Sequence, residues 1–332
     1  MNRPIENQVI VITGASSGIG RCTAGYLAAR GARVVLTARR ADALDEVVRE
    51  IEASGGQAIA VPGDVTREED LRAVAAAAVE RFGRIDSWVN NASVYIQGRV
   101  QDITLDEYRR IMDVDFVGMV NGTQRALEVM LPQGEGVIVQ ISSVAAKRGV
   151  PYTSPYSAAK AAIVGFTSAL RAELWGTGVH LSIVYPPTVD TPIYDSARGK
   201  LGVVPKPAAP ISDPIEAAKA IEHLARTGER ERYFGWAGPL AALDAVSPAV
   251  GDWLLHHVEG FTYSDTPAHA DDNVDSPSRT IPPAVRAGWA EPGWKGFTLS
   301  EAVRVLPVES MLGAAAVGFL AARATRKLRN GR

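Results

Sequence analysis

The chain alternates short apolar runs with longer segments of helical spacing. Val9–Thr13 (VIVIT) is a continuous apolar run, the pattern of a strand buried on both faces. A glycine-rich turn, Gly14–Gly20, leads into a helix ending near Arg30. Arg33–Thr37 (RVVLT) predicts a second buried strand, and Ala41–Ser54 a helix. Ala58–Val61 predicts a third strand, closed by Pro62-Gly63-Asp64, and Arg67–Phe82 an amphipathic helix. Ser87–Asn90 predicts a short fourth strand, and Leu105–Met130 one long helix. Val137–Ile141 predicts the fifth strand, Pro155–Trp175 an alanine-rich helix, and Leu181–Tyr185 the sixth strand. Strands alternating with helices in this way specify βαβ units. The fold class expected is α/β, a doubly wound parallel sheet with an irregular C-terminal extension.

The pattern breaks after Tyr185. All but five of the 20 prolines lie from Pro186 onward, so regular elements there must be short or interrupted. Asp213–Arg226 still predicts a helix, with Pro214 in its first turn, and Arg232–Phe234 an added edge strand. From Gly235 to Leu306 the chain holds four of its six tryptophans among Pro and Gly, which predicts an irregular, packed extension. Ser264–Asp275 is polar and acidic, the composition of an exposed loop. The domain division expected is therefore 1–235, 236–306 and 307–332. Met311–Ala322 (MLGAAAVGFLAA) is uncharged, and Arg323, Arg326, Lys327, Arg329 and Arg332 come after it. The run is shorter than the roughly 20 residues that span a bilayer. Three readings stay open: a helix packed on the protein or a partner chain, a membrane-surface contact through 311–332, and a short span.

Composition narrows the function. With 46% hydrophobic and 22% charged residues the chain is an ordinary globular protein. A net charge of -2 argues against nucleic acid as a partner. The single cysteine, Cys22, lies in an apolar helix and reads as a small core residue; no intrachain disulfide can form. The polar start Met1–Gln8 lacks a leader pattern, which with the cysteine usage predicts a cytoplasmic protein. The five histidines show no ligand spacing, so no metal is expected.

Two stretches carry chemistry. Gly14-Ala15-Ser16-Ser17-Gly18-Ile19-Gly20 lies between a buried strand and a helix. The glycines permit a tight turn and close backbone approach, and the helix start offers N–H groups to a pyrophosphate. Tyr156 and Lys160 stand four residues apart on the alanine-rich helix and so share one face. An ammonium beside a phenol favours the phenolate and lowers a pKa of about 10. Taken alone, the pair has the spacing of any two helix-surface neighbours.

Together, the Gly-x-x-x-Gly-x-Gly loop and Tyr156-x-x-x-Lys160 resemble the short-chain dehydrogenase/reductase family. The resemblance covers roughly Ile5 to Tyr233. It implies a nicotinamide dinucleotide as cofactor, a small-molecule substrate and a homo-oligomer paired through Leu105–Met130 and Pro155–Trp175. By position it assigns Asp64 and Val65 to the adenine, and Asn91 and Ala92, in Asn90-Asn91-Ala92-Ser93, to the cofactor side. Ser143, 13 residues before Tyr156, matches the catalytic serine, with Ser142 a structural neighbour. Val189 and Thr191, in Pro186-Pro187-Thr188-Val189-Asp190-Thr191, fall where the family holds the nicotinamide side. In this scheme Ser143 polarises the substrate oxygen, Tyr156 is the general acid or base, and Lys160 lowers the Tyr156 pKa and binds the nicotinamide ribose.

Charge distinguishes the cofactors. An acid at the end of the second strand would repel a 2′-phosphate. Here that strand ends Thr37-Ala38 and continues Arg39-Arg40, so NADP(H) is expected over NAD(H). Two positions depart from the family. Asp115 stands where an Asn is common, beside the lysine in the family's fold, and Pro187 replaces a Gly. Substrate contacts are expected from Val94–Val100, Ala145–Thr153 and Tyr194–Pro210. Tyr95, Ile96, Val144, Val150, Tyr152, Ile193 and Tyr194 there predict a mainly apolar pocket, with Lys147 and Arg148 left at the surface. The reading is an oxidoreductase for an apolar secondary alcohol or carbonyl compound. A cofactor-bound sensor or scaffold without turnover, and a membrane-attached reductase of lipid-like substrates, are the alternatives.

Overall fold

In the computed structural model, residues 3–208, 210–238, 241, 251–252, 255–256, 263–268 and 270–289 are described. The first strand is β1 (Val9–Thr13), followed by α1 (Gly18–Ala28), β2 (Arg33–Thr37), α2 (Ala41–Ala53), β3 (Gln57–Ala60), α3 (Glu68–Phe82) and β4 (Ser87–Asn90). Next come α4 (Leu105–Met112), α5 (Gly118–Gln133), β5 (Gly136–Ile141), α6 (Ser154–Glu173), β6 (Val179–Tyr185), α7 (Pro214–Thr227) and β7 (Glu231–Tyr233). The seven strands form one sheet in the order β7-β6-β5-β4-β1-β2-β3, and every pairing in it is parallel. The chain builds outward from β1 to β3, then returns to the other side of β1 with β4. That reversal opens a crevice at the carboxyl ends of β1 and β4.

Burial on both faces explains the apolar runs. Along β1, Ile10 and Ile12 face one core with Leu27 of α1 and Leu224 of α7. Val9 and Val11 face the other, with Leu71 and Val74 of α3 and Met130 of α5. The side chains alternate because the strand repeat is two residues. The expected edge strand pairs as β7 with β6 in parallel register.

The long helix expected over Leu105–Met130 is interrupted. Asp113–Val117 is a π-helical turn between α4 and α5. One wider turn inserts a residue and rotates α5 relative to α4, a feature frequent at functional sites. It leaves the Asp115 carboxylate buried at 1% exposure and directed at the base of the crevice. At the start of α4, Thr104 Oγ1 accepts from Glu107 N–H at 3.2 Å, while Glu107 Oε2 accepts from Thr104 N–H at 2.8 Å. This capping box satisfies two helix-end donors. Thr104→Ala is expected to lower the unfolding free energy by about 1 kcal/mol, read from the urea midpoint. A change below about 0.3 kcal/mol would mean the cap adds nothing.

The stretch Ser264–Asp275 departs from the exposed loop expected of it. Tyr263–Pro267 is a strand, paired antiparallel with Val203–Pro205. Val274 is fully buried in the core that holds Leu71 and Ile111. The acidic residues there have partners: Arg198 contacts Asp272 at 2.8 Å and Asp275 at 2.7 Å. Among the described residues no helix is long and apolar enough to cross a membrane. The apolar run 311–322 and its basic tail lie outside the described residues.

Candidate active site

A cavity of about 540 Å³ runs along the crevice. Every residue assigned a site role from the sequence lines it except Gly20 and Asp115. Those two stand one layer behind. A Cβ on Gly20 would collide with Gly14 O and Asn91 Nδ2, so only glycine lets α1 approach the first loop this closely. Gly14 has φ +65° and Gly18 φ +54°, left-handed values that suit glycine. Asn91 braces the loop from β4: its Nδ2 donates to Thr13 O at 2.9 Å, and its N–H to Thr13 Oγ1 at 2.9 Å. Beyond β3, Asp64 accepts from Thr66 N–H and Thr66 Oγ1 at 2.9 and 2.8 Å. Burial tends to raise the Asp64 pKa, but the two Thr66 donors and the nearby Arg110 and Arg39 outweigh it and hold it below the usual range.

At the other end, α6 carries Tyr156 and Lys160 on one face. Ser143 caps the short 3₁₀ turn Val144–Ala146 after β5, accepting from Ala145 N–H at 3.1 Å. Its hydroxyl faces the Tyr156 phenol. Ser142 turns the other way and donates to Lys160 O at 3.0 Å, a structural bond. Lys160 is 2% exposed; its Nζ lies 5.3 Å from the Tyr156 ring centroid and donates to Ile141 O at 3.3 Å.

Asp115 faces this pair from the π-turn. Its Oδ2 lies 3.4 Å from Lys160 Nζ, and it accepts from Ser93 Oγ at 2.5 Å and Val94 N–H at 2.9 Å. Burial pushes the Asp115 carboxyl above its ordinary value, against Lys160 and these two donors. The sequence led to the expectation of an acidified tyrosine. The structure holds the Tyr156 phenol above its ordinary value instead, through burial first and the Asp115 charge second, with only Ser143 opposing. The lysine's charge is offset by the carboxylate 3.4 Å away. Cys22 is half-buried, and burial pushes its thiol up to about 11, in keeping with a packing role.

The loop after β6 carries Pro187, which has no N–H to donate. It is fixed by other donors: Ser212 N–H to Thr188 O at 2.9 Å and Asp190 N–H to Ser212 O at 3.0 Å. Tyr95 packs edge-on against both Tyr156 and Tyr194, with ring centroids 5.0 and 5.8 Å apart. Val144, Val150 and Ile193 continue that wall. Two expected members are elsewhere: Ile96 is fully buried in the core, and Tyr152 is not among the lining residues. Arg148 was expected at the surface; it lines the cavity and pairs with Asp252. Sequence reasoning missed Asn273, Pro277, Ser278, Ile281, Pro282 and Pro283, which also line the cavity. Their composition marks only a loop, and nothing local signals which surface it covers.

Arg39 and Arg40 stand at the end of β2. Arg39 donates to Asn273 O at 2.6 Å and Asp275 O at 3.3 Å, and Arg40 pairs with Asp42 at 2.9 Å. Burial lowers the Arg39 pKa from its usual value, with Arg110 adding to this and Asp64 and Asp275 opposing.

Comparison with known proteins agrees with this geometry. Residues 8–201 match the family described as short chain dehydrogenase. An uncharacterized oxidoreductase of Bacillus subtilis, YxnA, is 38% identical over 261 residues, 77% of this chain and 73% of that protein. A 3-oxoacyl-[acyl-carrier-protein] reductase of Synechocystis is 36% identical, covering 66% and 89%. A bovine (Bos taurus) dehydrogenase/reductase SDR family member 7B is 33% identical, covering 73% and 77%. Among solved structures, an alcohol dehydrogenase from the archaeon Thermococcus sibiricus, complexed with 5-hydroxy-NADP, superposes with a TM-score of 0.61 at 26% identity, over 69% of this chain and 96% of that one. The chain is therefore an NAD(P)-dependent oxidoreductase and belongs to the short-chain dehydrogenase/reductase family.

Proposed function

We propose that this enzyme transfers a hydride between NADP(H) and a mainly apolar secondary alcohol or carbonyl compound. The observation that carries this reading is one continuous cavity. It has the Ser143–Tyr156 hydroxyl pair at one end and Arg39 and Arg40 at the other, with the glycine loop between them. The residues fit a dinucleotide: Gly14, packed on Asn91 and Ala92, and Gly18, packed on Thr191, shape a tight turn whose helix start offers N–H groups to a pyrophosphate, Ser16 and Ser17 offer hydroxyls, and two guanidiniums suit a 2′-phosphate. When bound, the nicotinamide supplies the hydride.

The chain's own residues handle the substrate oxygen. Ser143 donates a hydrogen bond to it, and Tyr156 passes its phenolic proton to it in reduction or takes that proton back in oxidation. Lys160 contacts the nicotinamide ribose. Val189 and Thr191 hold the carboxamide side, and Asp64, Val65, Asn91 and Ala92 the adenosine side. The wall of Tyr95, Val144, Val150, Ile193 and Tyr194 favours apolar substrates. The likeness to the Synechocystis 3-oxoacyl reductase supports carbonyl reduction as one direction. Val117 on the π-turn, Leu131 on α5 and Trp175 just after α6 are exposed at 49, 43 and 88%, which supports pairing of two copies through these helices. The test of the reading is NADPH oxidation across a panel of apolar ketones and aldehydes. Tight NADPH binding with no turnover on any of them would favour a sensor role and overturn it.

Asp115 sets the pH range of this chemistry. Reduction needs a protonated Tyr156, so the rate falls as pH rises through the tyrosine pKa. The Asp115 charge opposes a second negative charge nearby and keeps the proton on. In Asp115→Asn that repulsion is gone and Lys160 is uncompensated. The alkaline fall of kcat/KM for ketone reduction is expected about one pH unit lower than in the wild type. A fall left in place, or moved to higher pH, would show that Asp115 does not act on Tyr156.

A further inference from the structure

The segment Asp271–Trp289 crosses the dinucleotide crevice from one rim to the other. At the substrate-side rim, Asn273 N–H donates to Ser196 O at 3.0 Å, and Arg198 grips Asp272 with Nε at 2.8 Å and Nη2 at 3.1 Å. Val274 is buried beside these contacts, and Arg110 Nε donates to its carbonyl at 2.9 Å. In the middle, Asp271 Oδ2 gathers Thr280 N–H and Thr280 Oγ1 at 2.7 Å each, which closes residues 271–280 into one rigid turn. At the far rim, Gly18 N–H donates to Ala284 O at 2.8 Å and Arg21 Nη1 to Pro283 O at 2.9 Å. Beyond it, Arg286 makes two 2.8 Å bonds to Asp213, and Asp190 accepts from Ala287 and Trp289 N–H at 3.1 and 3.0 Å.

The placement of the carbonyls is informative. Gly18 N–H stands at the start of α1, where anions are held. Arg39 and Arg40 are the cations read above as a phosphate site, and Arg40 Nη1 also reaches Ile281 O at 3.5 Å. The segment therefore satisfies, with neutral backbone oxygens, the donors that a dinucleotide's phosphates would take. A guanidinium exchanges a carbonyl for a phosphate at a net gain, because charge-assisted bonds are the stronger ones. The contacts over the crevice itself, to Gly18, Arg21, Arg39 and Arg40, are mostly made by backbone carbonyls of the segment. The two anchors are ion pairs at the rims, and Arg286 and Asp213 are 51 and 42% exposed.

We infer that residues 271–287 form a strap, an outer wall of the cofactor site that must lift for a dinucleotide to pass and that closes again over its adenosine and phosphate end. This rests on the NADP(H) reading above. The strap makes opening a step in both uptake and release.

The test is stopped-flow NADPH fluorescence on the full chain, with release followed by an NADP⁺ chase. In the wild type the observed association rate is expected to level off as NADPH rises, at the opening rate. In Arg286→Ala the plateau and the release rate should both rise about fivefold, the size expected from losing one exposed bidentate ion pair. Asp272→Asn, at the opposite rim, should raise both in the same way, and far-UV circular dichroism checks that each variant is folded. Association linear in NADPH, with the same rates in both variants, would overturn the strap while leaving the cofactor reading intact. Faster release with unchanged association would overturn it too, since that marks a contact made only with bound cofactor. No fluorescence change with NADPH in wild type and variants alike would overturn the cofactor reading itself.

Discussion

Replacing Tyr156 by Phe is expected to lower turnover by roughly 10²–10⁴-fold, the range for loss of a general acid or base. NADPH affinity should stay within about twofold, because the phenol's hydroxyl faces Ser143 and the two arginines of the proposed phosphate end lie on another element, at the end of β2. The change removes one oxygen and keeps the ring, so the edge-on packing against Tyr95 at 5.0 Å persists and the fold should not suffer. The measurement is steady-state kcat for a ketone accepted by the wild type, with NADPH binding by fluorescence titration. Turnover within tenfold of the wild type would place the proton elsewhere. A parallel loss of NADPH binding would mean that the substitution disturbs the site as a whole. The expectation is sharp because the phenol sits above its ordinary pKa: the wild type holds its proton ready across neutral pH.

The second large effect is expected from Arg39→Ala with Arg40→Ala. A 2′-phosphate bound by both guanidiniums gains charge-assisted hydrogen bonds, each contributing roughly 1.5–3 kcal/mol. The arginines already hold carbonyls at Asn273, Asp275 and Ile281, so the gain lies at the lower end of the sum. NADPH affinity should fall about 10²-fold. NADH affinity is the control. It should change far less, since NADH carries no 2′-phosphate and uses these residues only through the wall they hold. Equal losses for both cofactors would show that the arginines serve the strap and not the phosphate. No loss for either would remove the argument for NADP(H).

Much of this arrangement was legible beforehand. Strands β1 through β6 follow from local apolar runs and form where those runs lie, within a residue or two, and β7 lies within a residue of the edge strand expected. The glycine loop was legible because glycine leaves a sequence mark wherever backbone must approach closely, as at Gly20 beneath Gly14 O. The Tyr156–Lys160 pair was visible as a spacing, although its partner Ser143 needed a family resemblance to be singled out. The break in the long helix was not legible. Nothing in Asp113–Val117 forbids an α-helix, and the π-turn answers to what packs on it, including Ser93 and Val94.

What the sequence by itself determined is the doubly wound sheet, the strand–loop–helix at Gly14–Gly20 and the placing of Tyr156 and Lys160 on one helix face. Each depends on periodicity or on a spacing of a few residues, and both are local properties. Only the tertiary structure decided the electrostatic state of Tyr156 and the position of the C-terminal segment. The phenol's pKa is raised by burial and by a carboxylate 41 positions away in the chain (Asp115 to Tyr156), and no local pattern encodes that distance. Asp271–Trp289 reads as a polar loop, yet it lies across the cofactor crevice because Arg198, Arg110 and Asp213 stand where its own charges and carbonyls can meet them. Long-range pairing of that kind is a property of the folded chain, since its partners come together only when the sheet has formed.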